Sequence, residues 1–178
     1  MTFSGTINGA SALTASSTGT TTFNGPIGAT NPLTSLTVTA PNIVLSNVTT
    51  TGAQQYNGSA FFNSTYTTNG GAFNVTGTTT VGSGTIITTG AGAVTLTGAV
   101  DSQATENNSL TINSSGTTTF GSTVGATQPL GAERDGKPDP VSPGTSITQA
   151  QWSPLPAGRE HGRLGPDELR DRWDLRAG

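Results

Sequence analysis

The stretch GTTTFNGPIGATNPL at residues 19–33 returns at residues 116–130 as GTTTFGSTVGATQPL, with 10 of 15 positions identical at a constant offset of 97 residues. Leu13, Thr14 and Ser17 recur at the same offset as Leu110, Thr111 and Ser114. Self-similarity at a long fixed offset marks a chain built from stacked units, each of which buries its apolar face only against its neighbours. The flanking residues say what kind of unit. In Leu36-Thr37-Val38-Thr39 and Val94-Thr95-Leu96-Thr97 aliphatics alternate with threonines. That two-residue period sends one set of side chains to a core and the other outward.

Strand-like runs follow one another at residues 20–23, 36–40, 43–48, 73–76, 85–88, 94–97, 110–113 and 117–120, with Gly, Asn, Pro and Ser between them. Helix is disfavoured throughout. β-Branched residues lose rotamer freedom in a helix, and the glycines recur too often for long uninterrupted turns. Of the two β architectures that remain, a sandwich needs larger apolar side chains to fill a layer about 10 Å thick. A solenoid buries backbone pairing and small side chains between coils stacked about 4.8 Å apart, which suits this apolar inventory. The expectation is an all-β fold, a right-handed parallel β-helix over residues 1–130. At roughly 20 residues per coil it has about six coils and a length of about 30 Å.

The composition divides sharply near residue 131. Residues 1–130 contain no Lys, Arg or His, and their only acids are Asp101 and Glu106. Every basic residue, both tryptophans and the single His161 come later. Neither part carries the positive field that draws nucleic acid or anionic lipid, so neither partner is expected. The first part also escapes disorder by charge repulsion, having almost no charge. Without cysteine there is no disulfide framework and no thiolate metal site. Met1-Thr2-Phe3-Ser4-Gly5 enters the strand pattern without a basic and then apolar leader, so no signal peptide is read there. No apolar run reaches the ~18 residues that span a bilayer.

TTTFNGPIGATNPLTSLTVTA (residues 20–40), VTTTGAQQYNG (residues 48–58) and GAVTLTGAV (residues 92–100) resemble the repeats of filamentous haemagglutinin-like adhesins and related autotransporter-type surface proteins of bacteria. The resemblance covers residues 1–130. It implies a right-handed β-helical shaft at the bacterial cell surface or in the extracellular space, exported as part of a longer parent protein and serving adhesion. The secretion domain and membrane barrel of such proteins have no counterpart in these 178 residues.

The chemistry of polysaccharide-cutting β-helices needs convergent carboxylates, often with Arg or calcium. Two acids in the repeat region do not supply it, so no catalytic residue, cofactor or metal site is expected. Asp101, Glu106, Asn107 and Asn108 offer oxygens to a hard cation, but a calcium site wants six or more, and a solvated loop before Leu110 explains them. Gly82-Ser83-Gly84 and Gly90-Ala91-Gly92 lack the Lys and the helix of a phosphate loop, and solenoid corners account for them. Asn-x-Ser/Thr triplets begin at Asn47, Asn57, Asn63, Asn74, Asn107 and Asn113 in a chain rich enough in those residues to form them by chance. Thr-x-Thr pairs start at Thr20, Thr37, Thr49, Thr65, Thr78, Thr95 and Thr117. Ice-binding solenoids stack such pairs at an even step; here the step is uneven, and ordinary strand propensity explains them better.

Residues 131–156 hold five of the ten prolines and read as an extended, mostly disordered linker. Residues 166–176 have the pattern of one short helix, with Pro166, Asp167 and Glu168 at its start and Leu169 and Trp173 on one face. His161 lacks a nucleophile partner and reads as an exposed histidine. The change directly after GATQPL reads as a junction, by gene fusion or by a shifted reading frame, which translation of the other frames past Leu130 tells apart.

The reading as a whole is a non-catalytic structural and adhesive fragment with a Thr/Asn-rich surface. Its expected partners are a host glycan or protein, and other copies of itself through the unpaired strands at the solenoid's ends. An ice- or carbohydrate-surface-binding solenoid is the alternative, and a lyase or hydrolase is disfavoured.

Overall fold

The computed structural model describes residues 1–131 and the backbone of one further strand at Ser146–Gln149. The expected helix at 166–176, His161 and most of the linker lie outside the described residues. The strands are β1 (Thr2–Phe3), β2 (Ala12–Ser16), β3 (Thr20–Phe23), β4 (Ser35–Leu45) and β5 (Val48–Thr50). Then come β6 (Gln54–Phe62), β7 (Thr65–Thr68), β8 (Phe73–Val75), β9 (Thr79–Val81) and β10 (Thr85–Gly90). The series closes with β11 (Val94–Leu96), β12 (Val100–Ser102), β13 (Leu110–Ser114), β14 (Thr117–Phe120) and β15 (Ser146–Gln149).

Among the described residues every strand pairs in parallel with a strand of a neighbouring coil, and the chain winds into a β-solenoid of about six turns. Three faces result. The first stacks β2, residues 35–39 of β4, residues 54–57 of β6, β8, β11, β14 and β15. The second stacks β1, β3, residues 42–45 of β4, residues 59–62 of β6, β9 and β12. The third stacks β5, β7, β10 and β13, and isolated bridges carry it back through Ile27 to Ile7.

Coil length varies because the loops absorb it. Leu45 and its partner Phe62 are 17 residues apart, Ile87 and Ile112 are 25. The runs expected at 36–40 and 43–48 are joined differently. Residues 35–45 form one strand bent between Ala40 and Pro41, and the third-face strand begins afresh at Val48. The ladder shifts register between Thr39 and Asn42, so Pro41 sits where its missing N–H costs no pairing. At the same corner in the next coil lies Gly58, where a Cβ would stand 1.7 Å from the Ala40 carbonyl oxygen.

Corners are where successive coils approach most closely. Gly77 lies against Gly58 and Gly98 against Gly77, with added Cβ atoms at 2.4 and 2.3 Å from the backbone below. A second column, Gly52, Gly71, Gly92 and Gly116, occupies the corner between the third and first faces. Beside it runs a column of inward hydroxyls: Thr50 donates to the Gly52 carbonyl at 2.6 Å, Thr89 to Gly92 at 2.6 Å, and Ser114 to Gly92 at 2.9 Å. Thr68 does the same for Gly71. These buried hydroxyls satisfy corner carbonyls where the chain turns.

The core is thin at the ends and aromatic in the middle, which differs from the small-side-chain filling expected from the whole inventory. Tyr56, Phe62, Tyr66 and Phe73 are fully buried and meet at ring-centroid distances of 4.7 to 6.2 Å. Their polar tips are satisfied. Tyr56 donates to Gln54 Oε1 at 2.8 Å, Gln54 Nε2 donates to the Thr67 carbonyl at 2.9 Å, and Tyr66 donates to the Leu45 carbonyl at 3.1 Å. Burial pushes the Tyr56 phenol well above its ordinary range, with the neighbouring Tyr66 adding to the rise. Burial raises Tyr66 too, against a smaller opposing effect of the Asn63 backbone.

Two predictions follow from this interior. The only tyrosines of the chain are these two. Their phenols stay neutral in the folded state and ionise in the unfolded state from about pH 10, so stability holds below that pH and falls above it. Tyrosinate absorbance and loss of the β circular-dichroism signal should therefore rise together in one alkaline transition. Thr79, 1 % exposed, has a hydroxyl without a partner, whereas the hydroxyl of buried Thr89 is bonded to Gly92. In urea denaturation Thr79→Val should be neutral or stabilising by up to about 1 kcal/mol, and Thr89→Val should cost about 1–3 kcal/mol.

Candidate functional site

Asp101 and Glu106, the only acids of the repeat region, have structural partners. Asp101 ends the outward column Thr2, Thr22, Val44, Phe61, Thr80 on the second face. Its Oδ1 accepts the backbone N–H of Thr127 at 2.9 Å and of Gln128 at 3.2 Å. The other copy of the repeated loop is held the same way: Asn8 Oδ1 accepts the N–H of Thr30 at 3.0 Å and of Asn31 at 3.2 Å. In both loops the glycine of GAT is left-handed, Gly28 at φ 71° and Gly125 at φ 66°. Each glycine also donates to the preceding coil at 2.7 Å, Gly28 to Ile7 and Gly125 to Val100. The loop is thus a preformed turn clipped to the coil beneath by one side-chain oxygen. Sequence comparison at offset 97 misses the clip, because Asn8 and Asp101 are 93 residues apart.

Glu106 Oε2 accepts from Asn108 Nδ2 at 2.6 Å, and Asn108 Nδ2 also donates to the Val81 carbonyl at 3.2 Å. Among the described residues no three His, Cys, Asp or Glu side chains stand together. Gly82-Ser83-Gly84 forms the turn between β9 and β10, with Gly84 left-handed at φ 64°, and Gly90-Ala91-Gly92 forms a solenoid corner. A shallow concavity of about 160 Å³ opens on the second face among Asn42, Val44, Ser59, Phe61 and Thr80. That is smaller than the roughly 300–1,000 Å³ typical of small-molecule sites. The triplet asparagines at 47, 63, 107 and 113 are exposed, and Asn57 and Asn74 are half-buried on the first face.

The Thr-x-Thr pairs divide among all three faces. Those starting at Thr37, Thr95 and Thr117 lie on the first, Thr20 and Thr78 on the second, Thr49 and Thr65 on the third. The first face nevertheless carries an unbroken outward column of hydroxyls and amides in register: Thr14, Thr37, Gln55, Asn74, Thr95 and Thr119. Beside it stand Ser16, Thr39 and Asn57, tied together where Asn57 Nδ2 donates to Thr39 Oγ1 at 3.1 Å and Gln55 Nε2 to Asn57 Oδ1 at 2.8 Å. Thr76 and Thr97 continue this second column, their backbones bonded to Tyr56 and Val75. With coils about 4.8 Å apart, this is an uncharged, in-register lattice of donors and acceptors. The sequence pattern singles out its threonine pairs and, as triplet asparagines, Asn57 and Asn74, but not Gln55.

The clip makes a prediction. Asp101→Asn should keep the loop, since Asn8 performs the same task in the first copy. Asp101→Ala should release it, speeding amide hydrogen exchange at Thr127 and Gln128 while leaving the central coils protected, at a cost of about 1–3 kcal/mol. No protein-family model matches this chain, and no curated protein or solved structure matches it either.

Proposed function

We propose that this chain is a non-catalytic shaft segment of a larger bacterial surface adhesin of the filamentous haemagglutinin-like kind. In this reading it stands at the cell surface or in the extracellular space, and its first face is the contact surface for neutral glycans or a host protein. One observation carries the proposal: the in-register column from Thr14 to Thr119, flanked by Ser16, Thr39 and Asn57, presents hydroxyls and amides on six successive coils. Sugar hydroxyls are met by such groups without the desolvation cost of burying a charge. The parallel ladder holds the column stiff, which limits the ordering cost of binding. The resemblance of residues 20–40 and 48–58 to adhesin repeats supports the shaft role.

The ice-binding alternative is less well supported. On the first face the coils bearing Thr37/Thr39 and Thr95/Thr97 are separated by coils bearing Gln55/Asn57 and Asn74/Thr76, so paired threonines do not repeat from coil to coil. A lyase or hydrolase reading has to recruit Asp101, whose Oδ1 is already engaged by two backbone N–H groups.

A glycan array probed with the purified chain tests the contact surface. Binding to neutral glycans is expected, with Thr37→Lys and Thr95→Lys weakening it about tenfold or more, roughly 1.4 kcal/mol. Thr67→Lys and Thr88→Lys, outward on the third face, should leave it unchanged. Equal loss from both faces, or no glycan bound at all, would sink the assignment of the first face to glycans.

A further inference from the structure

Among the described residues, the core-bordering apolar side chains left partly exposed lie at the two ends of the solenoid. They are Phe3, Ile7 and Leu13 in the first coil, and Leu110, Ile112, Phe120 and Leu130 in the last. In the same columns one coil inward the exposure vanishes. Phe23 beside Phe3 is 2 % exposed, Ile27 beside Ile7 is 1 %, and Leu36 beside Leu13 is 0 %. The repeat supplies an internal control. Val124 and Ile27 hold the same place in the repeated unit, yet Val124 is 45 % exposed and Ile27 is 1 %: Ile27 is bridged by Ile7 on one side and Val48 on the other, whereas Val124 is bridged by Val100 alone among the described residues.

We infer that the C-terminal end of the solenoid is an acceptor surface for the first coil of a second copy of this chain, so that copies stack head to tail. Three features select this occupant. Each end offers one apolar residue per face, Phe3, Ile7 and Leu13 at one and Phe120, Val124 and Ile112 at the other. Among the described residues β1 and β2 at the N-terminal end and β13 at the C-terminal end are paired on one side only, and such edges pair readily with another chain. All coil-to-coil pairings in the solenoid are parallel, and only the opposite end of an aligned copy supplies strands running in the matching sense. Such a contact is heterologous, joins unlike surfaces and does not close on itself, so it produces rods of increasing length.

The chain carries its own competitor. Strand β15 adds in parallel to β14, with Thr118 opposite Ile147 and Thr119 opposite Thr148, and so occupies the first-face edge where the incoming coil has to seat. The intact chain therefore associates weakly, and releasing β15 strengthens association. This holds whether or not the first face binds glycans.

Sedimentation of the full chain over a concentration series tests the inference, using Ile147→Pro to remove a backbone N–H from β15 without touching the solenoid. The average mass of Ile147→Pro should climb with concentration, with an apparent dissociation constant at least several-fold lower than that of the unmodified chain. Val124→Asp in the same background should return it to monomer. Val124→Asp alone keeps a sound first coil, so adding it in excess to Ile147→Pro should shorten the rods by capping their C-terminal ends. Circular dichroism of each variant verifies the fold. The inference is overturned if Ile147→Pro associates no more than the parent, if Val124→Asp leaves association intact, or if excess Val124→Asp does not shorten the rods.

Discussion

In a solenoid the backbone N–H and C=O groups of one coil find their partners only in the coils above and below. Everything else in this structure is subordinate to that pairing. Coils locked about 4.8 Å apart leave little depth for a side chain that points along the axis. Where the chain turns a corner, a side chain is forced into that direction, and the two glycine columns stand there. Gly92 illustrates the constraint: a Cβ would lie 2.0 Å from the Gly71 oxygen, the corner carbonyl that accepts the Thr68 hydroxyl. Turning the corner also takes carbonyls out of the ladder, and the inward hydroxyls of Thr50, Thr68, Thr89 and Ser114 meet them. Glycine and buried threonine at these corners answer the same geometric demand, one sterically and the other by hydrogen bonding.

The repeated unit is not a whole number of turns. GTTTF at β3 lies on the second face, and the same five residues leading into β14 lie on the first. Counting faces along the chain, 97 residues advance the solenoid by four coils and two further faces. The copies nonetheless keep their local structure. Both place a buried threonine at the same point, Thr21 and Thr118, and both leave its hydroxyl without a partner. Both form a left-handed turn at the glycine of GAT and clip it to the coil below. Local interactions and coil-to-coil pairing thus suffice to determine the shape of the unit, and which of the three faces it occupies is immaterial to its packing.

Much of this architecture was legible in the sequence, for physical reasons. Alternation in Leu36–Thr39 and Val94–Thr97 reflects a strand with one buried face, and that pattern survives any register. Strands at 20–23 and 117–120 appear where they were expected. Less legible was β6, whose first inward residue is the polar Gln54 and whose middle is the corner residue Gly58. Gln54 is buried because Tyr56, Thr50 and the Thr67 carbonyl satisfy its amide, a network no short window reveals. The absence of a charged constellation in residues 1–130 was plain from composition. Hidden was the use made of Asp101, since the N–H groups that hold it belong to residues 26 and 27 positions later. The outward column on the first face was equally hidden, because coil lengths between 17 and 25 residues blur any fixed step between its members.

That column shapes the outer surface of the solenoid. Thr14, Thr37, Gln55, Asn74, Thr95 and Thr119 are not copies of one another in the repeat. Thr14 and its equivalent at offset 97, Thr111, occupy the first and third faces respectively. The first face is therefore polar without being a repeated word. A polar side chain alternates with an inward one in each coil, and the six coils reach a similar surface chemistry with threonine four times, glutamine once and asparagine once. A surface built this way offers many similar hydrogen-bonding sites at near-regular spacing rather than one shaped pocket. If the face makes the contacts proposed for it, each would be weak, and affinity would come from several coils engaging one extended ligand, for which a rigid array provides a high effective concentration. The same stiffness that forbids a Cβ at Gly92 is what keeps those sites in line.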